Sequence, residues 1–295
     1  MITTLSILIP TYNRDCTNLV HTLKMQADAI PGLHYEVLVA DDASTQSEVK
    51  AANRNIRQWD GCQLVELESN IGRARIRNFL AQQAQYPYLL FLDSDVQLVR
   101  PNYIQQYLQH DCDPVVYGGV CIQPNEELAR HNLRYRYELD CEPRFSVEQR
   151  RVSPYQGFRT SNFLVKRDLL LAHPFDERIR HYGYEDVLFG RRLLSAGIPV
   201  THVENPVAVD DFEPNDVFLR KTDEGLRTLQ SMSAEMSEYT HILVWVEKLR
   251  KFHLSGVVLF LYRIAQGAIK RNLLGQSPNV KLYNIYRLCT YLALK

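Results

Sequence analysis

The chain has no run of about 20 apolar residues, the length a helix needs to span a bilayer; its longest apolar stretch runs only from Val257 to Tyr262. It has no Cys-x-x-Cys pair, and its six cysteines (Cys16, Cys62, Cys112, Cys121, Cys141 and Cys289) are scattered. That spacing argues against a zinc site and a disulfide scaffold, and fits a reducing compartment. Nor is there a basic n-region or cleavage site. Met1-Ile2-Thr3-Thr4-Leu5 enters a strand pattern at once, so no export signal is expected and a cytoplasmic location is. Acidic residues are missing from one region, Lys248 to Lys295, which holds nine Lys or Arg and no Asp or Glu. The whole chain balances 34 basic against 34 acidic residues, so the remainder is acidic by nine charges and carries a basic appendage. An acidic body with no recognised binding module argues against nucleic acid as a partner.

What is present is an ordinary globular composition: 45% of the 295 residues are apolar, enough for one large α/β domain or two smaller ones. The stretch that organises the rest is Tyr88-Leu89-Leu90-Phe91-Leu92-Asp93-Ser94-Asp95. Five apolar residues followed by Asp-x-Asp read as a strand buried on both faces that delivers two acids to the sheet edge where α/β proteins bind ligands. Two carboxylates that close repel unless a cation sits between them, and hard oxygen ligands suit Mg²⁺ or Mn²⁺ carrying substrate phosphates. The pattern alone is weak, since Asp111-Cys112-Asp113 matches it too. Only the first copy has a buried strand behind it.

In chain order, Leu5 to Ile9 reads as a strand stopped by Pro10, and Thr17 to Ala29 as a helix. Tyr35 to Ala40 is a second strand, again ending in acids, Asp41 and Asp42; Gln46 to Trp59 is a helix and Gln63 to Glu68 a third strand. After the turn Asn70-Ile71-Gly72, a helix from Arg73 to Gln83 begins with arginines at 73, 75 and 77. Alternate helical positions do not share a face, so Arg77 is expected at the site, with Arg73 and Arg75 as solvated surface charges. Beyond Asp95, Pro101 to Gln109 reads as helix, Val115 to Ile122 as strand, Glu126 to Asp140 as one charged helix and Glu142 to Tyr155 as a mobile loop. Phe163 to Val165 is a short strand and Arg167 to Ala172 a helix. His181-Tyr182-Gly183-Tyr184-Glu185-Asp186 opens a helix that runs to Ala196, Val200 to Val203 is the last strand, and Asn215 to Met236 is a further helix. Acids at a helix start are also simply favourable first-turn charges. The alternation of strand and helix points to a doubly wound sheet.

Taken together, Ser6 to Arg14, Val37 to Ser44, Asn70-Ile71-Gly72 through Arg77-Asn78, Phe91 to Asp95 and Gly183 to Asp186 resemble, in order and spacing, the family 2 glycosyltransferases of the GT-A fold. The resemblance covers residues 2 to about 232. It implies a GT-A type doubly wound mixed sheet flanked by helices over residues 1–236; the basic, aromatic composition of 237–295 reads separately as a helical extension. The resemblance also implies an inverting, metal-dependent transfer of a sugar from a UDP- or GDP-sugar to a saccharide hydroxyl, and if the extension meets a membrane the acceptor would be a lipid-linked saccharide, as in polysaccharide assembly. Pro10, Thr11, Tyr12 and Arg14 would line the nucleotide pocket, one of Asp41 and Asp42 would bond the base, and Arg77 and Asn78 would border the nucleotide. Asp93 and Ser94 would lie near the ribose and donor sugar, Asp95 with Asp93 would hold the Mn²⁺ or Mg²⁺, Tyr184 and Glu185 would meet the acceptor, and Asp186 would be the base. An acid can take the proton of an attacking hydroxyl if it lies within hydrogen-bond reach of it.

One departure stands out. Relatives carry a metal-binding histidine a few residues beyond an Asn-Pro-Val segment, whereas Asn205-Pro206-Val207 is followed here by Ala208-Val209-Asp210-Asp211. Asp210 or Asp211 could replace it with an oxygen ligand; His202, inside an apolar strand, reads as a core residue. A nucleotidyltransferase is a weaker alternative because Pro10 to Arg14 lacks glycine; a non-catalytic nucleotide-sugar binder is another. The basic, aromatic region from Lys248 reads either as a peripheral membrane contact or as a cap or oligomer interface.

Overall fold

The computed structural model describes residues 1–179, 183–236 and 240–294. In chain order its strands are β1 (Thr4–Thr11), β2 (His34–Asp41), β3 (Cys62–Glu66), β4 (Tyr88–Leu92), β5 (Val96–Leu98), β6 (Val115–Tyr117), β7 (Val120–Cys121), β8 (Asn162–Lys166), β9 (Val200–His202) and β10 (Val207–Val209). The helices up to the middle of the chain are α1 (Thr17–Asp28), α2 (Ser47–Arg54), α3 (Arg73–Gln83), α4 (Tyr103–Tyr107), α5 (Glu126–His131), α6 (Leu133–Cys141) and α7 (Val147–Val152). They continue with α8 (Arg167–Ala172), α9 (Glu185–Ser195), α10 (Asn215–Ser231), α11 (Ser233–Met236), α12 (His241–Lys251), α13 (Ser255–Leu273) and α14 (Val280–Ala293). Of the stretch expected to open α9, His181 and Tyr182 lie outside the described residues, as do 237–239, where the expected boundary between body and extension falls.

Two compact units emerge. The first, Met1–Cys121, Arg144–Arg180 and Glu185–Asp211, is built on a seven-stranded sheet in the order β3-β2-β1-β4-β8-β6-β9. β1 to β4 run parallel, β8 runs antiparallel between β4 and β6, and β6 pairs in parallel with β9. The doubly wound mixed sheet expected from the alternating pattern is therefore the fold. Strands buried on both faces need apolar side chains at every position, and β1 shows how they divide. Leu5, Ile7 and Ile9 pack with α1 and α4 in one layer, while Leu8 joins Ile76, Leu80, Phe163 and Phe189 in the other.

Several local expectations need correcting. Glu142 to Tyr155 is not a loop but a 3-10 turn (Glu142–Phe145) and helix α7. α7 is anchored because Arg150 is buried and donates to the carbonyls of Phe145, Tyr117 and Val203, a set of bonds invisible in a charged stretch of sequence. The charged helix of 126–140 is two helices, since Asn132 is extended (φ −96, ψ 119) and its side chain accepts from Tyr135 N to start α6. The strand at 115–122 breaks at Gly118-Gly119, which lets β7 leave for a second sheet, β5-β10-β7, made of strands too short to announce themselves.

Asn162 joins the two sheets. Fully buried, it accepts from the hydroxyls of Tyr103 and Tyr107 and donates to the carbonyls of Gly119 and Asn205. Gly118 lies against this knot: a Cβ there would sit 2.4 Å from the Asn205 carbonyl and 2.7 Å from Asn162 Nδ2.

The second unit, Ile122–Pro143, His181–Tyr184 and Phe212–Lys295, is helical. Its core gathers Leu133, Phe218, Leu219, Ile269, Leu273, Tyr283 and Tyr286 from α6, α10, α13 and α14. Arg134 and Lys221 pair with the buried Glu213.

Gly118→Ala is expected to lower stability by about 1–3 kcal/mol, the usual cost of overpacking, because all three groups it would meet, the Tyr107 hydroxyl, the Asn205 carbonyl and the Asn162 amide, are fixed by hydrogen bonds. Urea denaturation checks this, with Gly256→Ala, where a Cβ meets nothing within 4 Å, as the unclashed control, expected to be unchanged or up to about 1 kcal/mol more stable because it lies in α13.

Candidate active site

The parallel pairing of β1, β2 and β4 brings Thr11, Asp41 and Asp93 to one edge of the sheet, with Thr11 directly opposite Asp41. The loops beyond β1 and β2 are sewn together by Asn13, in the left-handed region at φ 52. Its side-chain oxygen accepts from the amides of Thr45 and Gln46, and its own amide donates to Ser44 Oγ at 2.7 Å. Thr11 Oγ1 donates to the Arg14 carbonyl, and Tyr12 stands half exposed at the rim.

The two acids after β2 have different jobs. Asp42 accepts from the amides of Ile71 and Gly72, at 2.7 and 3.0 Å, and so fixes the turn that starts α3. Burial raises its pKa, against the pull of those two bonds. Asp41 Oδ1 accepts from Ser44 N, but the buried Oδ2 has no hydrogen-bond partner among the described residues. A buried anionic oxygen without a donor is costly, so Asp41 is the acid with capacity for a ligand N–H.

α3 carries the centre of the site. Arg73 and Arg77 are one turn apart and share a face, because residues four apart lie above one another on a helix. Arg77, 1% exposed, places Nη2 2.5 Å from Asp93 Oδ1 and Nη1 3.7 Å from Glu185. Arg73 Nε lies 2.6 Å from Glu185 Oε1, with Nη2 3.5 Å from Asp93. Arg73 is thus part of the cluster and not the solvated charge expected. Arg75 does face away, pairing with the exposed Glu177. Asn78 was expected beside the nucleotide; instead its buried amide holds the backbone of Phe175 in both directions and donates to Glu177.

These arginines set the protonation of the acids. Burial would raise the pKa of Glu185, yet Arg73 and Arg77 outweigh it and hold the carboxyl below its ordinary range. Burial prevails at Asp93, whose pKa is raised despite Arg77 and Arg73. Asp186 is pushed up to about 6, first by burial and then by the adjacent Glu185 charge, while the Val187 amide and Arg159 pull the other way. A carboxyl near 6 can both take and release a proton close to neutral pH. Both acids sit in the first turn of α9, and Tyr184, at φ 68, turns the chain into it.

The antiparallel pairing of β5 with β10 matches Val96 to Val209 and so carries Asp210 alongside Asp95, whose carbonyl accepts from the Asp210 amide at 2.9 Å. The Asp210 carboxylate takes bonds from Arg14 Nη2 (2.9 Å) and Gln97 (2.6 Å), and Asp211 lies 3.5 Å from Arg14. The acids that follow Asn205-Pro206-Val207 thus grip Arg14, in the loop after β1. His202 is a core residue: Nε2 bonds the Pro154 carbonyl, Nδ1 faces Arg150, and burial lowers its pKa to about 4. Among the described residues, no three His, Cys, Asp or Glu are grouped to hold a metal ion. The acids at 93, 95 and 210 are all-oxygen donors, which fits a hard divalent ion only if a bound diphosphate completes its shell. Asp93 is held by two arginines, and Asp95 follows it by two residues, immediately before β5.

Comparison with known proteins agrees with this architecture. The glycosyl transferase family 2 model matches residues 6–171, and the chain belongs to that family. Validoxylamine A glucosyltransferase of Streptomyces hygroscopicus subsp. limoneus is 30% identical over 67% of this chain and 49% of its own length. The chain therefore spans about half of that relative. Among solved structures, a mannosyltransferase from Pyrobaculum calidifontis in complex with GDP-Man and Mn²⁺ is similar at TM-score 0.60 and 14% identity, over 98% of this chain and 84% of that one. Glucosyl-3-phosphoglycerate synthase from Mycobacterium tuberculosis, in complex with Mn²⁺, UDP and glucosyl-3-phosphoglycerate, gives 0.50 and 20%, over 78% and 79%. At such identities the likeness establishes the GT-A fold.

Truncating Arg77 leaves buried Asp93 and Glu185 short of charge compensation, so Arg77→Ala is expected to destabilise by about 3–5 kcal/mol. Arg75→Ala, on the same helix, is expected within about 0.5 kcal/mol of the parent. Equilibrium denaturation of the two variants side by side checks the assignment.

Proposed function

We propose that the protein transfers a sugar from a UDP- or GDP-sugar to a hydroxyl of a saccharide or lipid-linked saccharide, with inversion, and that Asp186 is the base. The observation that carries this reading is the environment of Asp186: a carboxyl held near pKa 6, next to a Glu185 that Arg73 and Arg77 tie to Asp93 at the sheet edge. In this reading residues 1–236 carry the transfer, 237–295 form an extension, and the product enters polysaccharide assembly.

Asp41 would accept an N–H of the base through Oδ2, with Thr11, Tyr12 and Arg14 lining the same pocket and Pro10 ending the strand beneath it. Arg14 would exchange part of its pairing with Asp210 for contact with the nucleotide. Asp93 and Ser94 would face the ribose and donor sugar, oriented by the arginine clamp on Asp93. Asp186 takes the acceptor proton as that oxygen bonds to the anomeric carbon, and the bond from that carbon to the diphosphate breaks with its electron pair leaving on the phosphate oxygen. A divalent ion held by Asp95 and the diphosphate would supply Lewis-acid stabilisation of that charge. Glu185, kept ionised by its arginines, would hold the acceptor and maintain the raised pKa of its neighbour.

Transfer is expected to rise with pH through about 6 and then level off, as Asp186 loses its proton. Asp186→Asn should lower kcat about 10²–10⁴-fold while leaving donor binding intact. Titration of UDP- and GDP-sugars with Mn²⁺, followed by turnover assays, separates the outcomes. Donor binding without turnover in the parent protein would replace catalysis with simple binding. Stability responds to the same proton: the folded state keeps it on Asp186 up to about 6, above its ordinary carboxyl value, so this group's contribution is present at acid pH and lost as pH rises through that window. Thermal melts of Asp186→Asn should show a smaller loss of Tm between pH 4 and about 6 than the parent does.

A further inference from the structure

The basic region does not behave as one piece. α14 buries Tyr283, Tyr286, Cys289 and Tyr291, and α13 buries Ile269 and Leu273 near its C-terminal end, all within the second helical unit. The first half of α13 and the corner before it are different. Val257, Phe260, Leu261 and Ile264 are 56%, 62%, 58% and 71% exposed, and they recur at the i, i+3, i+4, i+7 spacing of a single helix face. At the corner Phe252 is 66% exposed and Leu254 46%, and α12 adds Trp245 at 56%. Exposed apolar side chains scattered singly need no explanation, but a continuous stripe of this kind marks a docking surface.

The charges around the stripe are predominantly basic, with the exposed Glu247 of α12 the exception. Lys248, Arg250 and Lys251 close α12, Arg263 lies within α13, and Lys270 and Arg271 follow in its last turn; no acid occurs anywhere from Lys248 onward. Lys248 Nζ stands 5.0 Å from the Trp245 ring, so a cation and an aromatic share one patch. Among the described residues no single helix is long and apolar enough to cross a membrane; α12 and α13 reach that length and apolarity only as a pair, bent by 117° at Phe252–Leu254, where His253 is left-handed at φ 55. With basic residues closing both helices, a surface contact suits the pair better than a span.

We infer that the α12–α13 corner and the exposed face of α13 dock on an anionic lipid bilayer, with Phe252, Leu254, Val257, Phe260, Leu261 and Ile264 entering the acyl boundary and the ring of Lys and Arg contacting phosphate headgroups. Anionic lipid matches both the apolar stripe and its predominantly basic rim. A second copy of the chain matches only the stripe, because a symmetric contact would bring the same net-basic rim against itself. The inference does not rest on the transfer reaction, since none of these residues belongs to the site on the sheet edge.

Flotation of the full chain with phosphatidylcholine vesicles, with and without phosphatidylglycerol, tests it. Binding is expected only to the anionic vesicles and should weaken as salt is raised from 50 to roughly 500 mM, in keeping with screening. Replacing Lys248, Arg250 and Lys251 together by Gln should weaken binding on the order of a hundredfold, at about fivefold per basic residue. Phe260→Ser with Ile264→Ser should release the protein from vesicles at all salt concentrations. Both variants alter exposed side chains, so their Tm values and donor affinity should match those of the parent. Equal binding to both vesicle types, or none to either, would overturn the inference. So would a parent dimer in light scattering that the Phe260 and Ile264 changes convert to monomer.

Discussion

Two arginines on one face of α3 hold the site together. Arg77, almost wholly buried, and Arg73, one turn before it, each reach both Asp93 at the end of β4 and Glu185 at the start of α9. Those acids are far apart in sequence and sit on different elements, and each would be costly to bury without a partner. The clamp lets the fold keep a carboxylate-rich edge, and it splits the acids by protonation: Glu185 stays ionised while Asp186 beside it is raised to about 6. A carboxyl that titrates near neutrality thus follows from the packing of a structural ion cluster.

Much of this was legible from residue pattern, because continuous apolar runs flanked by acids are what doubly buried parallel strands require. β1, β2 and β4, their acidic ends and α1, α3 and α9 all follow from that constraint. What escaped had physical reasons. The i, i+2 spacing of the three arginines hides Arg73, because the informative relation is its i, i+4 pairing with Arg77 on one helix face. The sheet β5-β10-β7 is built of strands of two or three residues, too short for a period to register. Its pairing, not any motif, carries Asp210 to Asp95 and onto Arg14. α7 was hidden because its anchor is an arginine that bonds backbone carbonyls, and charge in a sequence reads as exposure. The division of labour between Asp41 and Asp42 was likewise invisible, since it depends on which oxygen the turn before α3 captures.

The second unit obeys a different economy. α14 and the end of α13 bury tyrosines against α10 and α6, with Arg287 lying over the rings of Tyr137 and Tyr283. That packing consumes one part of the basic region and leaves the α12–α13 corner apolar, cationic and open.

The most direct test of the central account is a crystal structure of the protein with a UDP- or GDP-sugar and Mn²⁺. The account predicts the diphosphate beside Asp95 and the anomeric carbon turned toward Asp186, with Arg73 and Arg77 still bridging Asp93 and Glu185. A donor bound away from the C-terminal edge of β1, β2 and β4, or an Asp186 carboxyl facing away from the sugar, would contradict it.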